Sequence, residues 1–532
     1  MSWKKFRDIF KAGGRDERYF VLGIDLGNAT SSIAYFDLNQ NMPEIIDISG
    51  GYGKPSVPTV MQYISESREW VFGEYAMTNR PGGREQTFHA LVDKLGAGEY
   101  VEIDGRPVSI ASILSLYMKE LIGNCKNINP RAEIAGIVAA IPSYLSEEAR
   151  SELLSVFKTA GYDRQFMGFV DDRECILNRH YYEWPAKKEN ALIIDFGARE
   201  VRGGIYSIDP TGTSKANAVR IDCRTFLFDQ SMGTQTIEGI VLKLFKELYC
   251  RHGGVPSDGV TEQQMEQLEI FAYQHKDILF QKNPSEKPKP IKFYYNFAYP
   301  PFQATVSPGS LSEMVGPWRK KLTDFVREVI ATPASDGGTI TRYDIDVVLC
   351  VGGGFEMQWA REAVAEALGG GPAKVLFYRN AKGMIAEGAS VIAAKGLEAI
   401  GGEAFEIHDK NRLEFDVGFP IVKDKKERFF PIIEANSFWW QERPAVLLLL
   451  NEETEQAVKI PIQRRNRDGE RQTLGYATLD GLPQRPAGAT RLRFISRCLS
   501  CDRLSVTVRD AGFGELFPAA DYERAFEFVL PS

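Results

Sequence analysis

The sequence predicts an α/β protein whose main body consists of two related lobes, followed by a small β-rich domain. A strand–turn–strand unit with the pattern Asp-x-Gly occurs twice, in Val21–Ser32 and again in Ala191–Asp209. A continuously apolar segment, DVVLCVGGG, runs from Asp346 into three glycines, which is typical of a strand buried on both faces. Beyond Phe405, short strand-like segments separated by turn residues replace the long helical patterns.

The overall composition excludes several classes of protein. With 532 residues the chain exceeds one hydrophobic core, so about two to four structural units are expected. A formal net charge of −7 gives no electrostatic attraction to nucleic acid or to an anionic membrane. The seven cysteines are too scattered for a disulfide framework. No apolar run reaches the roughly 20 residues of a membrane helix, and no signal peptide is recognisable, so we expect a cytoplasmic location.

The first hairpin unit carries residues that point to phosphate chemistry. Its first strand ends in Asp25, turns through Gly27 and Asn28, and returns through Ile33–Phe36. A carboxylate at a strand end can hold a hydrated Mg²⁺, and a glycine lets backbone N–H groups approach a phosphate closely. A single Asp-x-Gly is a common turn. The second copy, Asp195–Gly197, predicts two related lobes that each offer a phosphate hairpin to one cleft.

The segment between the two hairpins carries strand and helix patterns in turn. Pro142 cannot continue a strand, and Ser146 followed by two acidic residues is typical of a helix N-cap. The expected elements are strands at Val60–Ile64 and Trp70–Gly73, a helical stretch to Gly96, an apolar helix at Ile110–Ile122, a buried strand at Ile134–Ile141 and a helix that begins after Ser146.

Longer helical patterns follow the second hairpin, and regular strands follow them. The expected elements up to residue 400 are a glycine-containing turn at Phe228–Thr236, helices at Ile237–Tyr249, Glu262–Phe280 and Leu311–Ile330, and a last helix opened by Asn380–Gly388. The later strands are expected at Phe429–Glu434, Ala445–Leu450, Val458–Gln463, Leu474–Leu479, Thr490–Ile495, Leu504–Val508 and Ala525–Leu530. Such regular strands separated by turn signals are typical of a β-sandwich.

These patterns predict how the chain divides into domains. The predicted parts are an N-terminal tail (1–18), a two-lobed body (19–400, with lobes of about 19–190 and 191–400), a linker (401–415) and a β-sandwich domain (416–532). The tail has an amphipathic pattern. It fits either a weak contact with a membrane surface or partner, or a tail that docks on its own domain.

The ordered set of motifs resembles the DnaK-type heat-shock chaperones, members of the actin-like ATPase superfamily, over nearly the whole chain. The two hairpins look like the family's phosphate loops, and VGGGFEMQ (Val351–Gln358) looks like its adenosine motif. AAIPSYLSEEAR (Ala139–Arg150), LGYATLDGLP (Leu474–Pro483) and RLSVTVRDAG (Arg503–Gly512) follow in the family's order. The resemblance implies a duplicated actin-like, ribonuclease-H-like body followed by a peptide-binding-like β-sandwich.

The resemblance also implies a function. ATP or ADP would bind with Mg²⁺ in the cleft between the lobes, where phosphoryl transfer demands mainly positioning and charge neutralisation. The β domain would bind unfolded or extended polypeptide through backbone hydrogen bonds and an apolar pocket. Pro142 and Arg150 match residues that relay between the two domains of the family.

Individual residues take roles from the same resemblance. Asp25 and Asp195 would hold Mg²⁺ through water. Asp172 stands in place of the family's water-orienting glutamate and is one methylene shorter. The catalytic lysine has no counterpart in register, and Lys94 is the nearest candidate. The residues expected to contact the nucleotide are Gly27, Asn28, Ala29, Gly197, Ala198, Arg199, Gly233, Thr234, Lys276, Gly352, Gly353 and Gly354.

Several departures from the family pattern fall on this chemistry. Asn28 and Ala29 replace hydroxyl residues of the first loop, and Glu356 replaces an arginine after the adenosine-motif glycines. In the second loop, side chains stand where the glycines of the family allow close backbone approach, and two alternatives follow: these side chains crowd a γ-phosphate, or Arg199 or Arg202 instead supplies positive charge. We therefore expect ATP hydrolysis to be weak or absent.

The parts that couple the domains depart as well. The linker segment Glu406–Phe415 is far more polar than the acidic-leucine linker of the family, and only a short tail follows Gly514 where the family carries a helical lid. Two functions stay open: a chaperone-like protein with slow or absent hydrolysis, and a pseudo-ATPase scaffold without a nucleotide cycle. A sugar or metabolite kinase is disfavoured by the β domain. The aromatic run Phe438–Trp440 fits either core packing or an exposed shelf for peptide.

Overall fold

The computed structural model describes a large part of the chain. The described residues are 7, 19–49, 54–78, 86–127, 130–131, 133–142, 145–211, 218–280, 289–298, 300–334, 338–378, 381, 383–409, 413–423, 426–435, 437, 443–451, 453–454, 457–466, 468–500 and 502–530. The chain falls into two units. The first comprises residues 1–221, 227–330 and 341–407, and the second comprises 222–226, 331–340 and 408–532.

The first unit contains both strands and helices, and three of its elements, Ala218–Asp229, Pro308–Ala331 and Ala404–Asp409, also include residues of the second unit. Its strands are β1 (Tyr19–Leu26), β2 (Thr30–Asp37), β3 (Met42–Ile45), β4 (Val57–Pro58), β5 (Met61–Ile64), β6 (Glu69–Phe72), β7 (Gln86–Phe88), β8 (Tyr100–Ile103), β9 (Arg106–Ser109), β10 (Glu133–Ile141), β11 (Phe166–Asp171), β12 (Glu189–Phe196), β13 (Val201–Asp209), β14 (Ala218–Asp229), β15 (Ile291–Tyr295), β16 (Phe302–Val306), β17 (Val347–Val351), β18 (Lys374–Phe377) and β19 (Ala404–Asp409). Its helices are α1 (Gly73–Thr78), α2 (Ile110–Gly123), α3 (Glu147–Thr159), α4 (Asp172–Glu183), α5 (Thr234–Gly253), α6 (Glu262–Phe280), α7 (Pro308–Ala331), α8 (Gln358–Leu368) and α9 (Met384–Gly396), with 3₁₀ turns at Asn124–Asn127 and Gly353–Glu356. The predicted mixed α/β class is confirmed.

The first hairpin lies at the centre of one sheet, in the order β11-β10-β1-β2-β3, with β4 paired to β2. β1 runs antiparallel to β2 and parallel to β10, and β10 runs parallel to β11. Helix α9 packs directly on β1, because Gly23 has no side chain and a Cβ there would overlap the backbone of Ser390. The sheet thereby fixes the hairpin turn after Asp25 at one edge of a buried framework.

The second hairpin lies in another sheet with the same local plan, in the order β18-β17-β12-β13-β14-β19. β12 runs antiparallel to β13 and parallel to β17, and β17 runs parallel to β18. Every residue of β17 is buried, as the apolar DVVLC pattern predicts. In both sheets an antiparallel hairpin is therefore extended by two parallel strands beside its first strand.

The second unit consists of antiparallel strands. They are β20 (Asp416–Lys423), β21 (Lys426–Ile433), β22 (Val446–Leu450), β23 (Val458–Arg465), β24 (Arg471–Leu479), β25 (Thr490–Ser500), β26 (Arg503–Asp510) and β27 (Glu523–Val529). They form two four-stranded sheets, in the orders β21-β20-β23-β24 and β22-β25-β26-β27. Val417 and Ile462 of one sheet share a single hydrophobic core with Phe494 and Val506 of the other.

Several element predictions are confirmed and others are wrong. Ser146 caps α3, because its side chain accepts a hydrogen bond from the Ala149 backbone N–H at 3.1 Å. The helical stretch predicted up to Gly96 ends at Thr78 within the described residues, and strand β7 and turns follow it. The misleading signal was four core residues at helix-like spacing, namely Phe88, Leu91, Val92 and Leu95.

The predicted linker begins inside the first unit. Ala404–Asp409 forms β19 at the edge of the second sheet, and Asp416–Lys423 forms a strand that the sequence analysis missed. Three segments of interest lie outside the described residues: almost all of the tail 1–18, the aromatic run Phe438–Trp440, and Asn380. Among the described residues, none of the helices combines the length and the apolar character that a membrane crossing requires.

Candidate functional site

The turns of both hairpins line one cleft in the first unit. The cleft encloses about 800 Å³ of empty space, counting the part open to solvent. Its lining residues are Asp25, Gly27, Asn28, Ala29, Thr30, Pro142, Asp172, Asp195, Gly197, Ala198, Arg199, Glu200, Arg202, Gln235, Gly352, Gly353, Ala381 and Ile385. Most of the residues that the sequence analysis selected are therefore brought together.

Three aspartates converge at the floor of this cleft. Asp25 is the second-to-last residue of β1, beside the parallel strand β10, and Asp195 occupies the corresponding place in β12 beside β17. Asp172 is the first residue of α4 and is buried. The shared plan of the two sheets explains why the first two carboxylates meet, since each lies near the end of the first strand of a hairpin.

Arg202 joins two of these carboxylates. It stands on β13 directly opposite Asp195 in the hairpin register. Its Nη1 donates to Asp172 Oδ2 at 2.7 Å, and its Nη2 donates to Asp195 Oδ2. The Arg202 Nε lies 3.8 Å from an Oε1 of Glu200, which is the next acidic side chain of the turn. A single guanidinium thus donates hydrogen bonds to two carboxylates and lies close to a third.

Burial and mutual repulsion shift the protonation of this cluster. Burial raises the pKa of Asp25 well above its usual range, and the charges of Asp172 and Asp195 raise it further. Burial also raises the pKa of Asp172 to about 7, although Arg202 opposes the shift. Burial disfavours the charged form of Arg202, but Asp195 and Asp172 outweigh it and raise the Arg202 pKa well above its usual range. Arg202 is therefore a permanent cation in this site.

Asp93 joins the turns of the two hairpins, and the sequence analysis missed it. Its carboxylate pairs with Arg199 of the second turn and accepts a hydrogen bond from Asn28 Nδ2 of the first turn at 2.9 Å. Its backbone N–H donates to Asn28 Oδ1 at 3.3 Å. These partners lie 65 and 106 residues from Asp93 along the chain, so no local sequence pattern predicts the contact.

The second turn also caps the first turn of helix α5. Thr234 N–H donates to the Gly197 carbonyl at 3.0 Å, and Gln235 N–H donates to the Ala198 carbonyl at 2.9 Å. Gly233 is needed for this approach, because a Cβ there would overlap the Ala198 carbonyl oxygen. Gly233 and Thr234 therefore contact the turn without lining the cleft, whereas Gln235 lines it.

The glycines after β17 lie against the second hairpin. Gly352 has a left-handed backbone with φ of 88°, and a Cβ there would stand 2.5 Å from the Phe196 carbonyl oxygen and 2.7 Å from Asp195 Oδ1. A Cβ at Gly354 would overlap the Phe196 ring. Gly352 and Gly353 line the cleft, and Gly354 packs beneath it.

Three predicted site residues lie elsewhere among the residues that the structure describes. Lys94 is not part of the cleft lining. Lys276 pairs with Glu238 and lies 4.4 Å from the centre of the Tyr273 ring, again without lining the cleft. Arg150 donates from Nε to the Leu145 carbonyl at 3.2 Å, whereas Pro142 does line the cleft.

Comparison with known proteins adds a relationship along most of the chain. The chaperone protein DnaK of Thermosipho melanesiensis is 22% identical over 504 residues, which cover 94% of this chain and 79% of that protein. The chaperone protein DnaK of Thermotoga petrophila is 23% identical over 504 residues, covering 94% and 80% respectively. The chain is a distant relative of the DnaK chaperones.

Two family models of unknown function also match parts of the chain. The C-terminal model of the family of unknown function DUF5716 matches residues 42–221, and the domain of unknown function DUF8552 matches residues 412–530. The first match includes Asp172 and Asp195, and the second covers all eight strands from β20 to β27. The resemblance to DnaK-type chaperones is confirmed at the level of a distant relationship.

The cleft residues do not fit a magnesium ion as they are arranged. Asp172 and Asp195 each accept a hydrogen bond from Arg202 through their Oδ2 atom, so a cation already lies between them. Within the described ranges, no group of three His, Cys, Asp or Glu side chains has a geometry suited to a metal ion. The cation of this cluster is the guanidinium.

Proposed function

We propose that this chain is a chaperone-like protein with a duplicated actin-like body, which binds a nucleotide of the ATP/ADP class in its cleft and hydrolyses it slowly or not at all. The single observation that carries the proposal is the convergence of two Asp-x-Gly hairpin turns on one cleft, beside Gly352 and Gly353. The distant relationship to DnaK supports the same proposal.

The contacts of the acidic cluster support slow or absent hydrolysis. Phosphoryl transfer depends on metal ions and charged side chains held in position around the phosphate. Here Asp172 and Asp195 already bond Arg202, and Lys94 lies outside the cleft lining within the described part of the chain. Asp172 is therefore engaged by an arginine and is not free to orient an attacking water.

The proposal assigns polypeptide binding to the second unit. Strand β22 stands at the edge of its sheet and, in the part of the chain that the structure describes, pairs only with β25. Leu447 and Leu449 leave 46% and 48% of their surface exposed on this strand. An apolar edge strand can take up an extended segment as a further strand, with backbone hydrogen bonds for affinity and side chains for selectivity.

Calorimetric titration with ATP and with ADP tests nucleotide binding, and phosphate release measured on the same samples tests hydrolysis. We expect saturable binding of both nucleotides and phosphate release no faster than the background. No heat at millimolar nucleotide would refute the nucleotide part of the proposal. Rapid hydrolysis would refute the proposal that ion pairs with Arg202 keep Asp172 and Asp195 from supporting catalysis.

Fluorescence anisotropy with a labelled extended apolar peptide tests the second part. Replacing Leu447 and Leu449 together by Ser removes the exposed apolar pair and is expected to weaken binding about tenfold or more. Val529→Ser is the matched control, because Val529 is 74% exposed on β27 at the opposite edge of the same sheet. Equal weakening by both variants, or no weakening by the leucine pair, would remove β22 from the assignment.

A second candidate function is a scaffold that uses the same fold without nucleotide. The ion pairs of Arg202 favour it, because they satisfy the acidic cluster with no ligand present. This candidate predicts no ATP or ADP binding, together with intact peptide binding by the second unit. The calorimetric titration therefore separates the two functions.

A further inference from the structure

We propose that Arg202 is a built-in cation that takes the place of a divalent metal, so that the cleft binds a metal-free nucleotide polyphosphate. The nucleotide part of this inference rests on the proposed function. The exclusion of metal rests on the contacts of Arg202 alone and is tested separately.

The position of Arg202 is set by the hairpin itself. Asp195 and Arg202 are cross-strand partners in the β12–β13 register, so their side chains share one face of the sheet and point into the same space. From there the guanidinium spans to Asp172 at the start of α4. Two separate elements thus present carboxylates to one arginine.

The contacts use the geometry that distinguishes arginine from lysine. Nη1 and Nη2 each donate to a different carboxylate, and Nε faces the third, on Glu200. A planar fork with several fixed donors suits this arrangement, whereas an ammonium group would act as a point charge. The guanidinium therefore lies between the carboxylates and donates to one oxygen of Asp172 and one oxygen of Asp195.

Burial makes this arrangement difficult to displace. The side chains of Arg202, Asp172 and Asp195 are 14%, 5% and 7% exposed. A metal ion entering the cluster would have to expel a buried guanidinium, which would leave its donors without acceptors. Arg202 is also tethered to the chain, so it is present at any magnesium concentration.

Arg202 also lowers the negative charge that a ligand would meet. It lines the cleft beside the two hairpin turns, and Gly197 and Ala198 line it nearby. A phosphate group in this cleft would therefore meet aspartates whose charge is partly neutralised by Arg202, without a metal ion. The ligand class that follows is a nucleotide polyphosphate bound without Mg²⁺.

The test of metal exclusion is a Mn²⁺ titration followed by electron paramagnetic resonance, with no nucleotide present. The wild-type chain is expected to bind no Mn²⁺ in the cleft. Arg202→Ala frees the carboxylates and is expected to bind one Mn²⁺ at least about tenfold more tightly than the wild type. Adding Asp195→Asn to Arg202→Ala should abolish that binding. Wild-type binding as tight as that of Arg202→Ala would overturn the proposal.

Arg173→Ala is the matched control. Arg173 pairs with Asp171, the neighbour of Asp172, through Nε at 2.8 Å and Nη2 at 3.0 Å, and neither residue lines the cleft among the described residues. The control removes the same charge at a similar place and is expected to gain no Mn²⁺ site. A gain equal to that of Arg202→Ala would show a general effect of lost charge and would overturn the proposal.

Thermal melting gives a second measurement that does not depend on paramagnetic detection. A ligand that binds only the folded state raises the melting temperature, and at a given concentration it raises it more when it binds more tightly. Mg²⁺ is expected to leave the wild-type melting temperature unchanged and to raise that of Arg202→Ala. If Arg202→Ala does not fold without metal, Arg202→Gln serves instead. It removes the charge, keeps a hydrogen-bond donor and is expected to gain Mn²⁺ binding, and binding no tighter than that of the wild type would overturn the proposal.

Calorimetric titration with ATP in EDTA and in Mg²⁺ tests the nucleotide part. The wild-type affinity is expected to be equal within about threefold in the two conditions. A loss of more than about tenfold in EDTA would overturn the proposal. If ATP binds in neither condition, the proposed function fails, while the Mn²⁺ titration of the wild type and its variants still decides whether Arg202 excludes metal.

Discussion

Asp93 forms an ion pair with Arg199, and the same Asp93 carboxylate accepts a hydrogen bond from Asn28. One carboxylate thus connects the turns of both hairpins at the cleft. The pair is partly exposed, with 43% of the Arg199 side chain and 22% of the Asp93 side chain accessible. Its role is therefore local, because exposed ion pairs contribute only about 0–1 kcal/mol to stability.

Arg199→Gln should loosen the two turns without unfolding the protein. We expect amide hydrogen exchange at Gly27–Thr30 to increase roughly three- to tenfold while the free energy of unfolding changes by less than about 1 kcal/mol. Arg319→Gln is the control, since Arg319 is 41% exposed and pairs with Glu362 on a different helix. Unchanged exchange at Gly27–Thr30 in Arg199→Gln would contradict the connection.

Stability should fall with rising pH because of Asp172. Its pKa is raised from 3.8 to about 7, so the folded state binds more protons than the unfolded state between these values. The stabilising contribution is fully present below about pH 4 and is lost as pH rises through 7. Asp172→Asn removes this term, so the variant should gain melting temperature relative to the wild type between pH 4.5 and about 8.

The adjacent residue provides the control for this pH dependence. Burial would raise the pKa of Asp171, but Arg173 lowers it to about 2. The contribution of Asp171 is therefore present above pH 4 and is lost only as pH falls towards 2. The difference between Asp171→Asn and the wild type should stay constant across pH 5 to about 8. A similar slope for both variants would contradict the assignment to Asp172.

The sequence predicts those parts of the fold that follow from local patterns. Helix Glu262–Phe280 has the bounds that its apolar periodicity predicts, and the two Asp-x-Gly turns line one cleft as their duplication predicts. Strand Asp416–Lys423 was missed although it opens the predicted β domain, because it directly follows a segment with the polarity of a linker. Local polarity alone does not reveal a strand whose pairing partners lie elsewhere in the chain.

The central arginine was only partly predictable. Its charge was recognised, but its pairing with Asp172, 30 residues away, depends on how α4 packs against the hairpin. The cross-strand pairing with Asp195 did have a signal. A hairpin that closes through Gly197–Glu200 places residues 195 and 202 opposite each other. Asp93 had no such signal, because its partners come together only in the folded chain.

Gly352→Ala should destabilise the protein by more than the strain of its left-handed backbone alone accounts for. A side chain at a left-handed position costs about 1–2 kcal/mol, and here the Cβ would also meet Phe196 and Asp195. Gly370→Ala is the matched control, since Gly370 has φ of 77° but no atom within 4 Å of its Cβ position. We expect a larger loss of melting temperature for Gly352→Ala, with lost ATP binding. Equal losses would show that only backbone strain matters.

The second unit contains a buried ion pair, and removing one partner of it should be strongly destabilising. Arg485 donates from Nη1 and Nη2 to the two oxygens of Asp510, each at 2.8 Å, and both side chains are almost fully buried. Asp510 also accepts hydrogen bonds from the backbone N–H groups of Gly512 and Ala520. Arg485→Met would leave a buried carboxylate without its cation and should cost about 3–5 kcal/mol in chemical denaturation.

An exposed ion pair in the same sheet is the control that separates the effect of burial on stability from the effect of charge. Arg503 pairs with Glu527, and both side chains are more than half exposed, so Arg503→Gln should cost only about 0–1 kcal/mol. Adding Asp510→Leu to Arg485→Met should recover part of the loss, because the unpaired buried charge is then removed. A cost for Arg485→Met no greater than that for Arg503→Gln would mean that water enters the site and solvates Asp510.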